Sequence, residues 1–149
     1  MTTKTVQPRQ GRSPNIIPPI SAQHLKRPKV LVIDNDETNF ETIKINLQNA
    51  GYKVIEHTKS LGMMITIMDE RPDLILLDIK MPLLDGPMLC QLIKKNRQIS
   101  NTPILLYSFL NERQLDKKVA ECEAQGYIHK SWEMKRVIRK VSKYLNDPL

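Results

Sequence analysis

The feature that most constrains this chain is a fivefold alternation of a short strand-like run with a longer segment whose apolar residues recur at helical spacing. The runs are Val30 to Ile33, Tyr52 to Glu56, Leu74 to Leu77, Ile104 to Leu106 and Tyr127 to Ile128. The first helical segment, Thr38 to Ala50, places Phe40, Ile43, Leu47 and Ala50 on one face, and Gly51 suits its C-terminal stop. The second, Ser60 to Arg71, is rich in Met63, Met64, Ile65, Ile67 and Met68, which read as core filler. After a loop over 81 to 86, Pro87 suits the first turn of a third helix carrying Met88, Leu89, Leu92 and Ile93. Glu112 to Ala124 is the fourth, and Trp132 to Leu145 the fifth, with Val137, Ile138, Val141 and Leu145 as its stripe. Strands that each feed a helix pair in parallel, because a parallel crossover needs the helix and turns right-handed. The unbroken apolarity of Leu74 to Leu77 marks a central strand covered on both sides. The expected fold is therefore α/β, a five-stranded parallel sheet with helices on both faces.

In such a sheet, ligand chemistry gathers at the C-terminal ends of the strands. The first strand ends in Asp34, Asn35 and Asp36, the third in Asp78, the fourth in Ser108, and the fifth in His129 and Lys130. Acids brought to one edge repel each other, a cost that is met when a cation sits between them or one is protonated. A lysine and a hydroxyl on the same edge complete a set able to hold a phosphoryl group. It contains carboxylates for Mg²⁺, a nucleophilic carboxylate, and two groups for phosphoryl oxygens.

These strand ends lie in four motifs, VLVIDND, LILLDIKMPLLDG, TPILLYS and GYIHK, with Asp78 placed 30 positions before Ser108 and 52 before Lys130. In order and register they resemble the receiver domain of bacterial response regulators, the phosphoacceptor half of two-component systems. The resemblance covers the chain from residue 29 onward and implies a flavodoxin-like strand order, 2-1-3-4-5, for a receiver over residues 29–149. It implies that Asp78 is the nucleophile that takes a phosphoryl group from a sensor histidine kinase or a histidine phosphotransfer protein. Asp34 would hold Mg²⁺, with Asn35, Asp78 and the backbone carbonyl of Lys80 as further oxygen ligands. Ser108 and Lys130 would contact phosphoryl oxygens, and Tyr127 would be the aromatic that swings inward when Ser108 moves. Asp85 and Gly86 read as loop-shaping residues.

Three positions depart from the family pattern. Asn35 stands where a second acid normally binds the metal, so a weaker Mg²⁺ site is expected unless Asp36 shifts to supply the charge. Ser131 replaces the proline that usually follows the lysine, and Phe109 replaces a small residue after the hydroxyl. The expected function is a stand-alone receiver, a signalling domain rather than an enzyme, which promotes its own aspartyl phosphorylation and dephosphorylation. Phosphorylation is expected to change the surface of the fourth helix, fifth strand and fifth helix, and with it the binding of a downstream protein. The alternative is a degenerate receiver acting as a phosphorylation-independent interaction module, for which the same three departures speak. Lys135, Arg136, Arg139, Lys140 and Lys143 on the last helix form either a solvated face or a site for an acidic partner.

Charge and cysteine content bound the remaining classes. The net charge of +7 is uneven: residues 1–28 hold Lys4, Arg9, Arg12, Lys26 and Arg27 with no acid, while the other 18 basic residues meet all 16 acids. Five of the ten prolines also fall in this stretch, which reads as a flexible, basic, proline-rich extension. Five charges without interleaved aromatics give only salt-sensitive attraction, so no specific nucleic-acid binding is expected. Cys90 and Cys122, far apart in sequence, suggest core residues in a reducing compartment rather than a disulfide framework. No apolar run approaches the ~20 residues of a membrane span, and prolines interrupt the N-terminus where a signal peptide would need continuity. A cytoplasmic location and a single domain are expected.

Overall fold

The computed structural model describes residues 26–82 and 85–145; the expected extension lies outside the described residues, apart from Lys26, Arg27 and Pro28. The elements alternate as β1 (Lys29–Ile33), α1 (Glu37–Asn49), β2 (Lys53–His57), α2 (Met63–Glu70), β3 (Leu74–Leu77), α3 (Gly86–Lys95), β4 (Ile104–Ser108), α4 (Glu112–Cys122), β5 (Gly126–His129) and α5 (Met134–Leu145). Every strand pair is parallel, in the order β2-β1-β3-β4-β5, which is the expected 2-1-3-4-5 arrangement.

The pleat sends alternate residues to opposite faces, and this divides the core in two. Leu31, Ile33, Ile75, Leu77, Ile104 and Leu106 pack under α2, α3 and α4. Val30, Val32, Leu74, Leu76, Leu105 and Tyr107 pack under α1 and α5. β3 is buried along its whole length, as a central strand covered on both faces must be. Cys90 and Cys122 are free, buried thiols that meet between α3 and α4, where their shared hydrogen bond and burial push the Cys90 thiol up.

Local chemistry explains where the helices begin and end. The Asp36 carboxylate accepts from the N–H groups of Thr38 and Asn39 and caps α1. Asp85 caps α3 by accepting from Met88 N–H at 3.1 Å, and Asn111 and Gln114 form a reciprocal capping box on α4. α2 is shorter than the spacing predicts. It starts only after Gly62, whose φ of 82° is left-handed, and stops at Arg71, which has a φ of 45° and precedes Pro72. A residue before proline is pushed out of the helical region. The reading of the α2 methionines as core filler is corrected in part. Met63 and Ile67, one turn apart, enter the core, whereas Ile65 and Met68 on the far side are 67% and 40% exposed. No described helix is long and apolar enough to cross a membrane.

Candidate functional site

The C-terminal strand edge brings Asp34, Asp78, Ser108 and Lys130 together. β1 and β3 are neighbours, so the residues that follow them are neighbours too, and Asp78 N–H donates to the Ile33 carbonyl at 2.9 Å. Lys130 N–H donates to the Ser108 carbonyl at 2.9 Å, which fixes the lysine over the mouth of β4. Its ammonium then lies 2.7 Å from Asp34 Oδ2 and 3.0 Å from Asp78 Oδ2. The side chain of Lys130 is only 4% exposed and that of Asp34 is 0% exposed, so this is a buried cluster of two carboxylates on one ammonium. The ring of Tyr107 lies beneath the same ammonium at 5.2 Å.

The remaining oxygens are held by the backbone. Asp34 Oδ1 accepts from Asp36 N–H at 2.9 Å, and Asp78 Oδ1 accepts from Lys80 N–H at 2.9 Å. Burial holds the Asp34 carboxyl above the ordinary carboxylate range, although Lys130 and the Asp36 N–H pull it down. Burial, followed by the charges of Asp34 and Asp78, likewise pushes the Tyr107 phenol up. Ser108 is buried, and its Oγ accepts from Leu110 N–H at 3.3 Å, which keeps its own proton for another oxygen.

The donor set suits a hard, oxygen-seeking dication. Asp34 Oδ2 is buried, and the Lys130 ammonium lies 2.7 Å from it. That is the environment of an oxygen placed to meet a positive charge. Two carboxylates with neutral oxygens and water match Mg²⁺, which commonly uses one or two acids. Among the described residues, no three acids or imidazoles converge. The reason is visible at Asp36, whose two oxygens are taken by Thr38, Asn39 N–H and the Asn39 amide at the head of α1. Asn35 beside it is exposed.

The model of the response regulator receiver domain matches residues 30–142. The chain belongs to this family. Among curated relatives, a DNA-binding dual master transcriptional regulator of Synechocystis is 27% identical over 114 residues, 76% of this chain but 47% of the relative. The chain thus spans about half the length of that protein. The polar-differentiation response regulator DivK of Brucella anthropi is 23% identical over 118 residues, covering 79% of this chain and 96% of DivK. A putative response regulator from Chloroflexus aurantiacus superposes with a TM-score of 0.76 at 25% identity, over 81% of this chain and 99% of that one. The chemotaxis protein CheY4 of Vibrio cholerae shares the fold, with a TM-score of 0.73, 21% identity, and coverage of 80% of this chain and 99% of its own.

In this receiver the turn after Lys130 is built without proline. Ser131 N–H donates to His129 Nδ1 at 3.1 Å, a bond that proline could not make, and Ser131 Oγ lies 2.6 Å from the same nitrogen. Tyr127 is half-buried and packs on Trp132 at 5.8 Å, while the Arg136 guanidinium stacks on the other ring at 3.6 Å. The sequence reading used Trp132 only as a helix start. The structure places it outside α5 as a wedge against Tyr127, and an aromatic two residues past the lysine was the available signal.

Phe109 is 54% exposed and leans over the site, 5.7 Å from the Lys130 ammonium and edge-on to His129 at 6.1 Å. The ring is therefore not packed as core against α4. Phe109→Ala is expected to change stability by no more than about 1 kcal/mol, as exposed positions do. It is expected to speed phosphoryl uptake or hydrolysis, followed as aspartyl phosphate against time. Unchanged rates would remove Phe109 as a gate.

Proposed function

We propose that this receiver accepts a phosphoryl group on Asp78 from a phosphohistidine and signals by phosphorylation-dependent protein binding. The observation that carries the reading is the buried cluster in which one ammonium lies 2.7 Å and 3.0 Å from two strand-terminal carboxylates. An Asp78 oxygen attacks phosphorus, the P–N bond to the donor imidazole breaks, and an acyl phosphate forms while the imidazole departs and takes up a proton. Asp34, Asn35, Asp78 and the Lys80 carbonyl would hold Mg²⁺, which neutralises phosphoryl charge when bound. Lys130 moves from the carboxylates to a phosphoryl oxygen, and the Ser108 hydroxyl donates to a second. That pull on Ser108 is what Tyr127, beside α4 and Trp132, would report to the face formed by α4, β5 and α5.

Incubation with acetyl phosphate and Mg²⁺, followed by intact mass measurement, tests the proposal. A gain of one phosphoryl group that maps to Asp78 is expected. No gain would favour the degenerate module instead, the reading that the Asn35, Phe109 and Ser131 departures support. With Asp36 committed to capping α1, Asn35→Asp is expected to tighten Mg²⁺ about tenfold, since one more charge near a dication is worth roughly 1 to 2 kcal/mol in a solvated site. Calorimetric titration reads this directly. Equal or weaker binding would mean that another group already supplies the charge.

A further inference from the structure

Of the seven large apolar side chains that are well exposed among the described residues, five cluster on α2, α3 and the loop before α2. They are Leu61, Ile65, Met68, Met88 and Leu92, exposed by 89%, 67%, 40%, 58% and 45%. Leu61, Ile65, Met88 and Leu92 share one groove of about 400 Å³ with Asp85. The groove lies on the sheet face opposite α1 and α5 and takes no part in the carboxylate cluster. Together the five side chains present roughly 550 Å², near the top of what a monomer leaves in one apolar patch.

We propose that this face joins two copies of the chain in a two-fold symmetric dimer, with α3 of one copy antiparallel to α3 of the other. Area carries the first half of the proposal. Two such patches laid together cover roughly 1,100 Å², above the ~1,000 Å² that a specific interface needs. Apolar atoms make up only about 56 to 65% of an interface, so the polar rim that accompanies the patch brings each copy to roughly 900 Å², close to the standard ~800 Å². The described chain begins on the other face of the sheet, where Lys26 and Arg27 border Gln48 and Tyr52. The groove is thus remote from the point at which the chain enters the fold.

Charge carries the second half. Asp85, Met88, Leu92 and Lys95 follow one another at spacings of three, four and three, which sets them in one stripe along α3. The stripe is acidic at its head, apolar in its middle and basic at its foot, and Asp85 and Lys95 are both exposed. A two-fold axis across the stripe reverses its direction in the second copy. Asp85 of each copy then faces Lys95 of the other, and the Met88 and Leu92 pair meets its own image. A parallel pairing would set like charges against each other. Leu61, Ile65 and Met68 widen the apolar part of the stripe onto α2, and methionine is enriched in such interfaces.

Sedimentation velocity of the full chain over a concentration series tests the proposal. A shift from monomer to dimer between micromolar and near-millimolar chain is expected. The Ile65→Ser, Leu92→Ser double variant should stay monomeric throughout, with the melting temperature of the dilute parent, because both side chains are exposed. Lys95→Glu, which sets two acids against each other at each end of the seam, should raise the dissociation constant about tenfold or more. A parent chain that is monomeric throughout would overturn the proposal and leave the groove to a different protein or to the chain's own N-terminal residues. A dimer that survives the double variant would also overturn it, by placing the interface on another face. A dimer that Lys95→Glu leaves unchanged would overturn the antiparallel pairing.

Discussion

Asp78→Asn is expected to abolish phosphoryl uptake from acetyl phosphate while leaving the fold intact and slightly more stable. An amide cannot act as the nucleophile, so the mass gain expected of the parent protein should be absent. The stability gain follows from charge. The buried cluster holds two carboxylates on one ammonium, and the substitution leaves Lys130 with Asp34 alone, 2.7 Å away. Relief of the like-charge contact outweighs a contact that Asn can partly keep. The melting temperature should therefore equal or exceed that of the parent. A variant that still gained phosphate at the parent rate would move the nucleophile to another residue.

Lys130→Met is expected to cost about 3 to 5 kcal/mol in denaturant unfolding, the penalty typical of a buried charge left without its partner. The side chain is 4% exposed, and its loss leaves Asp34 and Asp78 side by side with no other ion-pair partner among the described residues. The pH dependence has a definite sign. Burial already holds Asp34 above the ordinary carboxylate range in the parent, and Lys130 is one of the influences that lower it. Without the lysine the folded value rises further, so the folded state binds protons that the unfolded chain has already released. Stability then falls as pH rises through the ordinary carboxylate range toward the raised value, and returns on acidification. Mg²⁺ should restore part of the loss by supplying the missing positive charge. A loss under about 1 kcal/mol, flat with pH, would show that the carboxylates do not depend on the ammonium.

Much of this architecture is legible in the chain because its signals are local and periodic. Leu74 to Leu77 reads as a central strand because four consecutive apolar residues can be satisfied only by cover on both faces. Asp34, Asp78, Ser108 and Lys130 stand out because each directly ends, or closely follows, a strand in a fold whose strand ends share one edge. Helix limits are less legible. The start of α2 depends on the left-handed Gly62 and its end on the left-handed Arg71, and the commitment of Asp36 to capping α1 depends on where the helix begins.

The sequence by itself determined the alternation of strands and helices, the parallel sheet, and which polar residues reach its C-terminal edge, since these follow from periodicity and strand direction. Only the tertiary structure decided which side of an apolar helix is covered. Met63 and Ile67 lie on the sheet while Ile65 and Met68 face outward, although all four have the same local character. It also decided that Lys130 lies between Asp34 and Asp78, that Phe109 leans over the site and does not enter the core, and that Trp132 wedges against Tyr127. Each of these is a contact between residues carried by separate strands, loops or helices. A hydrophobic period records the spacing of side chains along one element, but not what the neighbouring elements bring against it.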